Sequence, residues 1–118
     1  MKKSDFENHN LFGVCPFFTT QSLLLGKWIL PILNELSGGT KRFNELKRKF
    51  GITHSTLTQQ LKLLEREGFI HREVFPEVPP RVEYSLTEIG KTFQPVLDSI
   101  EIWGESYIEY LKRRDNCE

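Results

Sequence analysis

The sequence predicts a mainly α fold carrying one small β-hairpin, and three features of residues 51–87 predict it. Leu57, Leu61 and Leu64 recur at helical spacing between Thr53 and Gly68. Two alternating runs, Ile70 to Phe75 and Arg81 to Leu86, follow and read as paired strands. Between them Pro76-Glu77-Val78-Pro79-Pro80 makes a stiff connection, because proline fixes φ at three of its five positions. Helix, hairpin and then a further helix from Thr87 is the layout of a winged helix-turn-helix, which presents one helix to the DNA major groove and a hairpin to the backbone or minor groove.

The remaining elements follow in chain order. Residues 1–14 are polar and unpatterned and predict a flexible N-terminal arm, leaving 15–118 as the folded domain. A short helix is expected from Phe17 to Leu25, broken by Gly26. Trp28, Ile29, Ile32, Leu33 and Leu36 predict the next helix over Lys27–Leu36. Pro31 fits only if that helix begins near Lys27 or Trp28. Gly38-Gly39 ends it. Thr40–Arg42 reads as a short strand. Phe43, Leu46 and Phe50 mark another short helix, with Asn44 as a capping residue. After the turn at Gly51-Ile52, Thr53 caps the helix that runs to Glu67. At 100° per residue, Ser55, Gln59, Lys62 and Arg66 lie opposite its leucines.

The C-terminal part carries more apolar surface than one small core needs. From Ile89, apolar residues recur at Phe93, Val96, Ile100, Trp103, Tyr107 and Leu111, nearly a heptad repeat. Pro95 is expected to kink this helix or divide it in two. Glu101, Glu105 and Glu109 form a solvated row.

At 118 residues the chain has the size of one domain, and 38% apolar with 27% charged residues argues against a wholly disordered chain. No apolar run approaches membrane-spanning length and no leader pattern is present, so a cytoplasmic location without membrane attachment is expected. The formal charge is zero, but it is unevenly placed. Residues 41–72 hold eight Lys/Arg against three Asp/Glu, whereas 73–118 hold five against ten. A basic middle suits a protein that meets phosphates with one face; the bland alternative is ordinary solvated surface.

Few residues suggest catalysis. His9, His54 and His71 are dispersed and lack metal spacing with Cys15 or Cys117. There is no phosphate loop and no nucleophile elbow. No enzyme activity, metal or cofactor is expected. Two cysteines are too few for a disulfide scaffold. Cys15 precedes Pro16 at a helix start, where the helix terminus favours thiolate; the alternative is a small buried residue. Cys117 could pair with Cys15 of a second chain.

The helix Thr53–Glu67 offers Ser55, Thr56, Thr58, Gln59 and Lys62 for the major groove. Gln bonds adenine bidentately, and Ser and Thr reach several base edges. Thr53 and His54 at its N-terminus, with Lys41, Arg42 and Lys47, are expected at phosphates. Arg48 and Lys49 are further candidates. Arg81, directly after two prolines, suits the narrow, negative minor groove, unless it is tied to Glu77 or Glu83. A protein-interaction module using the same surfaces, without specific DNA binding, is the alternative function.

Several short strings together resemble one known family. They are Cys15-Pro16; Gly26-Lys27-Trp28 with Ile32-Leu33 and Leu36; Arg42-Phe43 with Glu45-Leu46; Leu57-Thr58-Gln59 with Leu61, Leu64-Glu65 and Gly68; and Pro79-Pro80-Arg81-Val82-Glu83-Tyr84-Ser85-Leu86-Thr87. This set, spanning about residues 15–104, resembles the HxlR-type winged-helix transcriptional regulators, which are related to the MarR group. The resemblance implies a homodimer on a pseudo-palindromic DNA operator, acting as a repressor. It implies dimer contacts from the N-terminal and C-terminal helices, the latter over about residues 87–114. Phe93, Val96, Ile100, Trp103 and Tyr107 are the candidate interface residues there. It places the recognition helix at Thr53–Glu67 and the wing at Phe75–Val82. Several members sense electrophiles or oxidants through the cysteine matching Cys15, so a small-molecule or oxidant signal is a further expectation. A second, mid-chain sensing cysteine has no counterpart here. Where relatives often carry Ser-Pro-Arg at the start of the recognition helix, this chain has Thr53-His54-Ser55, which implies a different operator.

Overall fold

Thr53 and Thr87 start the two helices that bracket the hairpin, and both do so as capping side chains. The computed structural model describes residues 11–116. Its elements are α1 (Pro16–Leu23), α2 (Ile29–Ser37), β1 (Lys41–Arg42), α3 (Phe43–Phe50), α4 (His54–Arg66), β2 (Ile70–Phe75), β3 (Arg81–Leu86), α5 (Glu88–Lys91) and α6 (Gln94–Asn116). The strands form one antiparallel sheet in the order β1-β3-β2. Ile70 faces Leu86 and Phe75 faces Arg81 across the hairpin, and Arg42 faces Glu83 on the other side of β3. The mainly helical fold with a β-hairpin wing is therefore the one the sequence predicts.

The core is built from one side of each element. Ile29, Ile32, Leu33 and Leu36 of α2 meet Leu46 of α3, Leu57, Leu61 and Leu64 of α4, Ile70, Tyr84, and Leu97 of α6. Each fully buried Leu or Ile contributes roughly 1.5–3 kcal/mol through removal of apolar surface from water. This cluster fixes α3 and α4 against the sheet and so sets the angle between α4 and the wing. Gly90 allows α5 to close on the start of β2: a Cβ there would sit 2.1 Å from the Phe69 carbonyl oxygen. Thr87 ties the same junction, with its Oγ1 donating to the Gly68 carbonyl and accepting from the Gly90 amide.

Several boundaries differ from expectation for physical reasons. Helix α2 starts at Ile29, because Trp28 takes the capping position. Its first bond of full helical spacing runs from the Ile32 amide to the Trp28 carbonyl, so Pro31 withholds no donor that the helix needs. Asn44 is not the cap of α3. Arg42 occupies that position, and its amide donates to Glu45 Oε1 at 3.1 Å. The long C-terminal helix is divided in two at Thr92-Phe93, and Pro95 falls in the first turn of α6, where an amide has no helical partner anyway. Residues 11–14, read as part of the arm, form a turn with Leu11 buried. The first ten residues of that arm, with His9, and Cys117 lie outside the described residues.

Helix α6 extends beyond the body of the molecule. Leu97 is its one buried residue, and the radius of gyration of 17.5 Å exceeds the roughly 13–14 Å of a compact domain this size. No helix among the described residues is long and apolar enough to cross a membrane.

Candidate nucleic-acid interface

The recognition-helix candidate α4 begins with a satisfied cap. Thr53 Oγ1 accepts from the Thr56 amide at 3.2 Å and donates to Thr56 Oγ1 at 2.9 Å. Thr58 Oγ1 donates to the His54 carbonyl at 2.7 Å. The hydroxyls of Thr53, Thr56 and Thr58 are thus partly occupied within the helix, although each oxygen keeps acceptor capacity. The His54 ring packs on Phe43 with centroids 4.7 Å apart, which pins the start of α4 to α3. Ser55, Gln59 and Lys62 are exposed, and no hydrogen bond or ion pair engages them among the described residues. Leu57, Leu61 and Leu64 are buried on the opposite side, as their spacing predicts.

Between α3, α4 and the wing lies a cleft of about 1040 Å³. It brings together Arg42, Arg48, His54, Thr58, Lys62 and Arg81 of the sequence candidates, and adds Arg72. Five Lys/Arg side chains line it against three Glu, a local excess that favours an anionic occupant. Ser55, Thr56, Gln59, Thr53, Lys41 and Lys47 lie outside the cleft lining. Lys41 is 4.0 Å from Glu35 and Lys49 is 3.9 Å from it, so both lean back onto α2. Lys47 is exposed.

Arg81 is held on three sides. Its guanidinium lies 4.1 Å from the centre of the Phe75 ring, Nη1 is 3.3 Å from Glu77 Oε1, and Nε is 3.1 Å from Glu83 Oε2. It sits at the loop end of the hairpin, paired with Phe75, and Val78 in the loop is fully exposed. Both carboxylates weighed as its rival partners are engaged at once.

Three participants escape a reading of the sequence. Phe75 forms the platform under Arg81, and the hairpin register that pairs them is the signal that could have found it. Arg72 lines the cleft from β2. Gln60, on the half-buried flank of α4, accepts the Trp28 amide at 3.2 Å and anchors the start of α2 to α4. A Cβ at Gly26 would collide with that same Gln60 side chain. Nothing in the local sequence announces so distant a contact.

Cys15 caps the N-terminus of α1 and is 2% exposed, so its thiol meets solvent only if the surrounding segment opens. Of the candidate interface residues on α6, Val96, Trp103 and Tyr107 are 41–66% exposed. Ile100 is half-buried, and Phe93 instead packs on the chain's own core, edge-on to Phe69. Trp103, Tyr107 and Tyr110 stack in sequence along the helix, with centroids 5.2 and 5.6 Å apart.

The model of the HxlR-like helix-turn-helix family matches residues 23–112. The chain belongs to this family. Among relatives of the HxlR-like chain, the HTH-type transcriptional regulator YdeP of Bacillus subtilis (strain 168) is 48% identical over 104 residues, covering 87% of this chain and 80% of that protein. The redox regulator HypR in its reduced form superposes with a TM-score of 0.77 at 43% identity, covering 83% of this chain and 98% of that one. The reduced transcriptional regulator YodB from B. subtilis superposes with a TM-score of 0.69 at 34% identity, covering 80% and 94%. The HxlR-like chain is a transcriptional regulator with a helix-turn-helix DNA-binding fold, and its relatives are regulators, not enzymes.

Proposed function

We propose that this regulator is a cytoplasmic homodimer that binds a pseudo-palindromic operator and represses transcription. The observation that carries the DNA reading is the exposed ridge of Ser55, Gln59 and Lys62 on a capped α4 beside a basic cleft. In this reading α4 enters the major groove with Ser55, Thr56, Thr58, Gln59 and Lys62. Arg42, Lys41, Lys47, Thr53 and His54 meet phosphates. Arg81 meets the minor groove through the guanidinium donors that its carboxylate partners leave free. The helices over about 87–114, with the N-terminal helix, join two copies. The exposed aromatic row of α6 supports this, because a monomer gains nothing from holding Trp103 and Tyr107 in water.

Cys15 is the proposed sensor of oxidants or electrophiles. Its position at a helix start and the likeness to HypR, described as a redox regulator, support that role. Its burial means that reaction accompanies an opening of the segment around α1. Sedimentation of the protein with a duplex enriched from a random pool tests the scheme. Two chains per duplex are expected, with release on diamide treatment. A Cys15→Ser variant should still bind and no longer release; release that persists in the variant would exclude Cys15 as the switch, and one chain per duplex would exclude the dimer.

A further inference from the structure

Glu83 stands where a carboxylate is least expected on a surface that meets phosphates. On β3 it is directly opposite Glu73 of β2 and Arg42 of β1. Like charges facing one another across a ladder repel, which favours the arginine side for its carboxylate. There, one oxygen serves two arginines: Glu83 Oε2 is 3.1 Å from Arg81 Nε and 4.0 Å from Arg42 Nε. The first arginine belongs to the wing and the second caps α3. Both Glu83 and Arg81 are about three-quarters buried, so the contact is shielded from solvent. Yet the buried Arg81 Nε makes no hydrogen bond of acceptable geometry. The pairing is one of charge and leaves donors of the guanidinium available to another acceptor.

We propose that Glu83 is a positioning residue for DNA recognition. It holds the wing arginine and the α3 arginine at a fixed separation before DNA arrives, with Phe75 and Glu77 completing the seat of Arg81. The inference rests on the reading of Arg42 and Arg81 as DNA contacts. A prepaid arrangement costs less ordering on binding. It also places a negative charge beside both arginines, which discourages contact with any polyanion whose phosphates do not match their spacing. Glu83 therefore acts on selectivity, in the direction opposite to its charge effect on affinity.

The sign of the effect separates this from simple electrostatics. If Glu83 only repels phosphates, Glu83→Gln tightens binding to every duplex. If it positions the arginines, Glu83→Gln weakens binding to the duplex that the wild-type chain enriches from a random pool by about five-fold or more, while affinity for random duplex holds or rises. In an Arg81→Ala background, Glu83→Gln should add little further loss on the enriched duplex. Glu83→Asp, which keeps the charge but retracts it by one methylene, should fall between. The comparison is made by anisotropy titration of full-length protein, with a thermal melt of each variant. Equal or tighter binding of Glu83→Gln to the enriched duplex overturns the inference, as does an equal loss on both duplexes. If Arg81→Ala itself costs nothing, the wing assignment fails first and the inference falls with it. If Arg81→Ala weakens binding and Glu83→Gln does not, the wing stands and only the role of Glu83 is refuted.

Discussion

Helices α4 and α6 both carry apolar rows at helical spacing, and the chain disposes of them in opposite ways. On α4, Leu57, Leu61 and Leu64 are at most 2% exposed and belong to the core. On α6, Leu97 alone is buried, and Trp103 is 66% exposed. The reason is position. Helix α4 lies between α3 and the hairpin, so its leucines meet partners on the same chain and its polar ridge is left to face outward. Helix α6 leaves the body of the domain after its first turn, and Val96, Trp103 and Tyr107 of its apolar row stay exposed. A similar pattern in sequence thus marks folding in one helix and, in the proposed dimer, association in the other. What the domain leaves uncovered, not the pattern itself, separates the two.

The largest expected effect breaks the α4 side. Leu61→Ala should cost about 2–5 kcal/mol in denaturant unfolding, since its side chain is buried between helices and sheet. A cost under about 1 kcal/mol would mean that α4 is not seated as described. On the α6 side, replacing Trp103 and Tyr107 together by Ala should raise the dimer dissociation constant by about thirty-fold, the scale of one aromatic hot spot, with the monomer's secondary structure retained. Sedimentation equilibrium measures this; an unchanged dimer would place the interface elsewhere.

Smaller effects sharpen the account of the DNA face. Arg81→Ala should weaken binding to the enriched duplex several-fold, by about 1–2 kcal/mol, and unchanged affinity in a gel-shift titration would count against the wing. Lys62→Ala should lower affinity and reduce the slope of log K against log salt by about 1 if it meets a phosphate, or relax base preference if it meets a base edge. The smallest change is Thr53→Ala, which removes the cap of α4 and should cost about 1 kcal/mol of stability, read as a lowered melting temperature.

Much of this arrangement is legible in the sequence because it is local. The ends of β2 and β3 coincide with the alternating runs, since the five-residue connection leaves the register little freedom. The caps at Thr53 and Thr87 are legible because a threonine side chain bonds an amide three residues on. Asn44 misled because Glu45 can reach back from one turn inside α3, a competing local bond of equal plausibility. Phe93 shares the periodicity of α6 while lying where the helix is still packed on the body, a difference that periodicity alone does not show. The contact of Gln60 and the reach of Glu83 beyond Arg81 are illegible for a different reason. Their partners, Trp28 and Arg42, are remote in sequence, and only the completed sheet and helix packing bring them within reach.

The most direct test of the central claim is an anisotropy titration of the full-length protein against its pool-enriched duplex and a random duplex, each at 50 and 200 mM salt, probe conditions in the range where phosphate contacts dominate affinity. The account predicts nanomolar binding to the enriched duplex, weaker by roughly a thousand-fold on random DNA, and a steep loss on both as salt rises. Equal affinity for the two duplexes, or no binding at the lower salt, would contradict it.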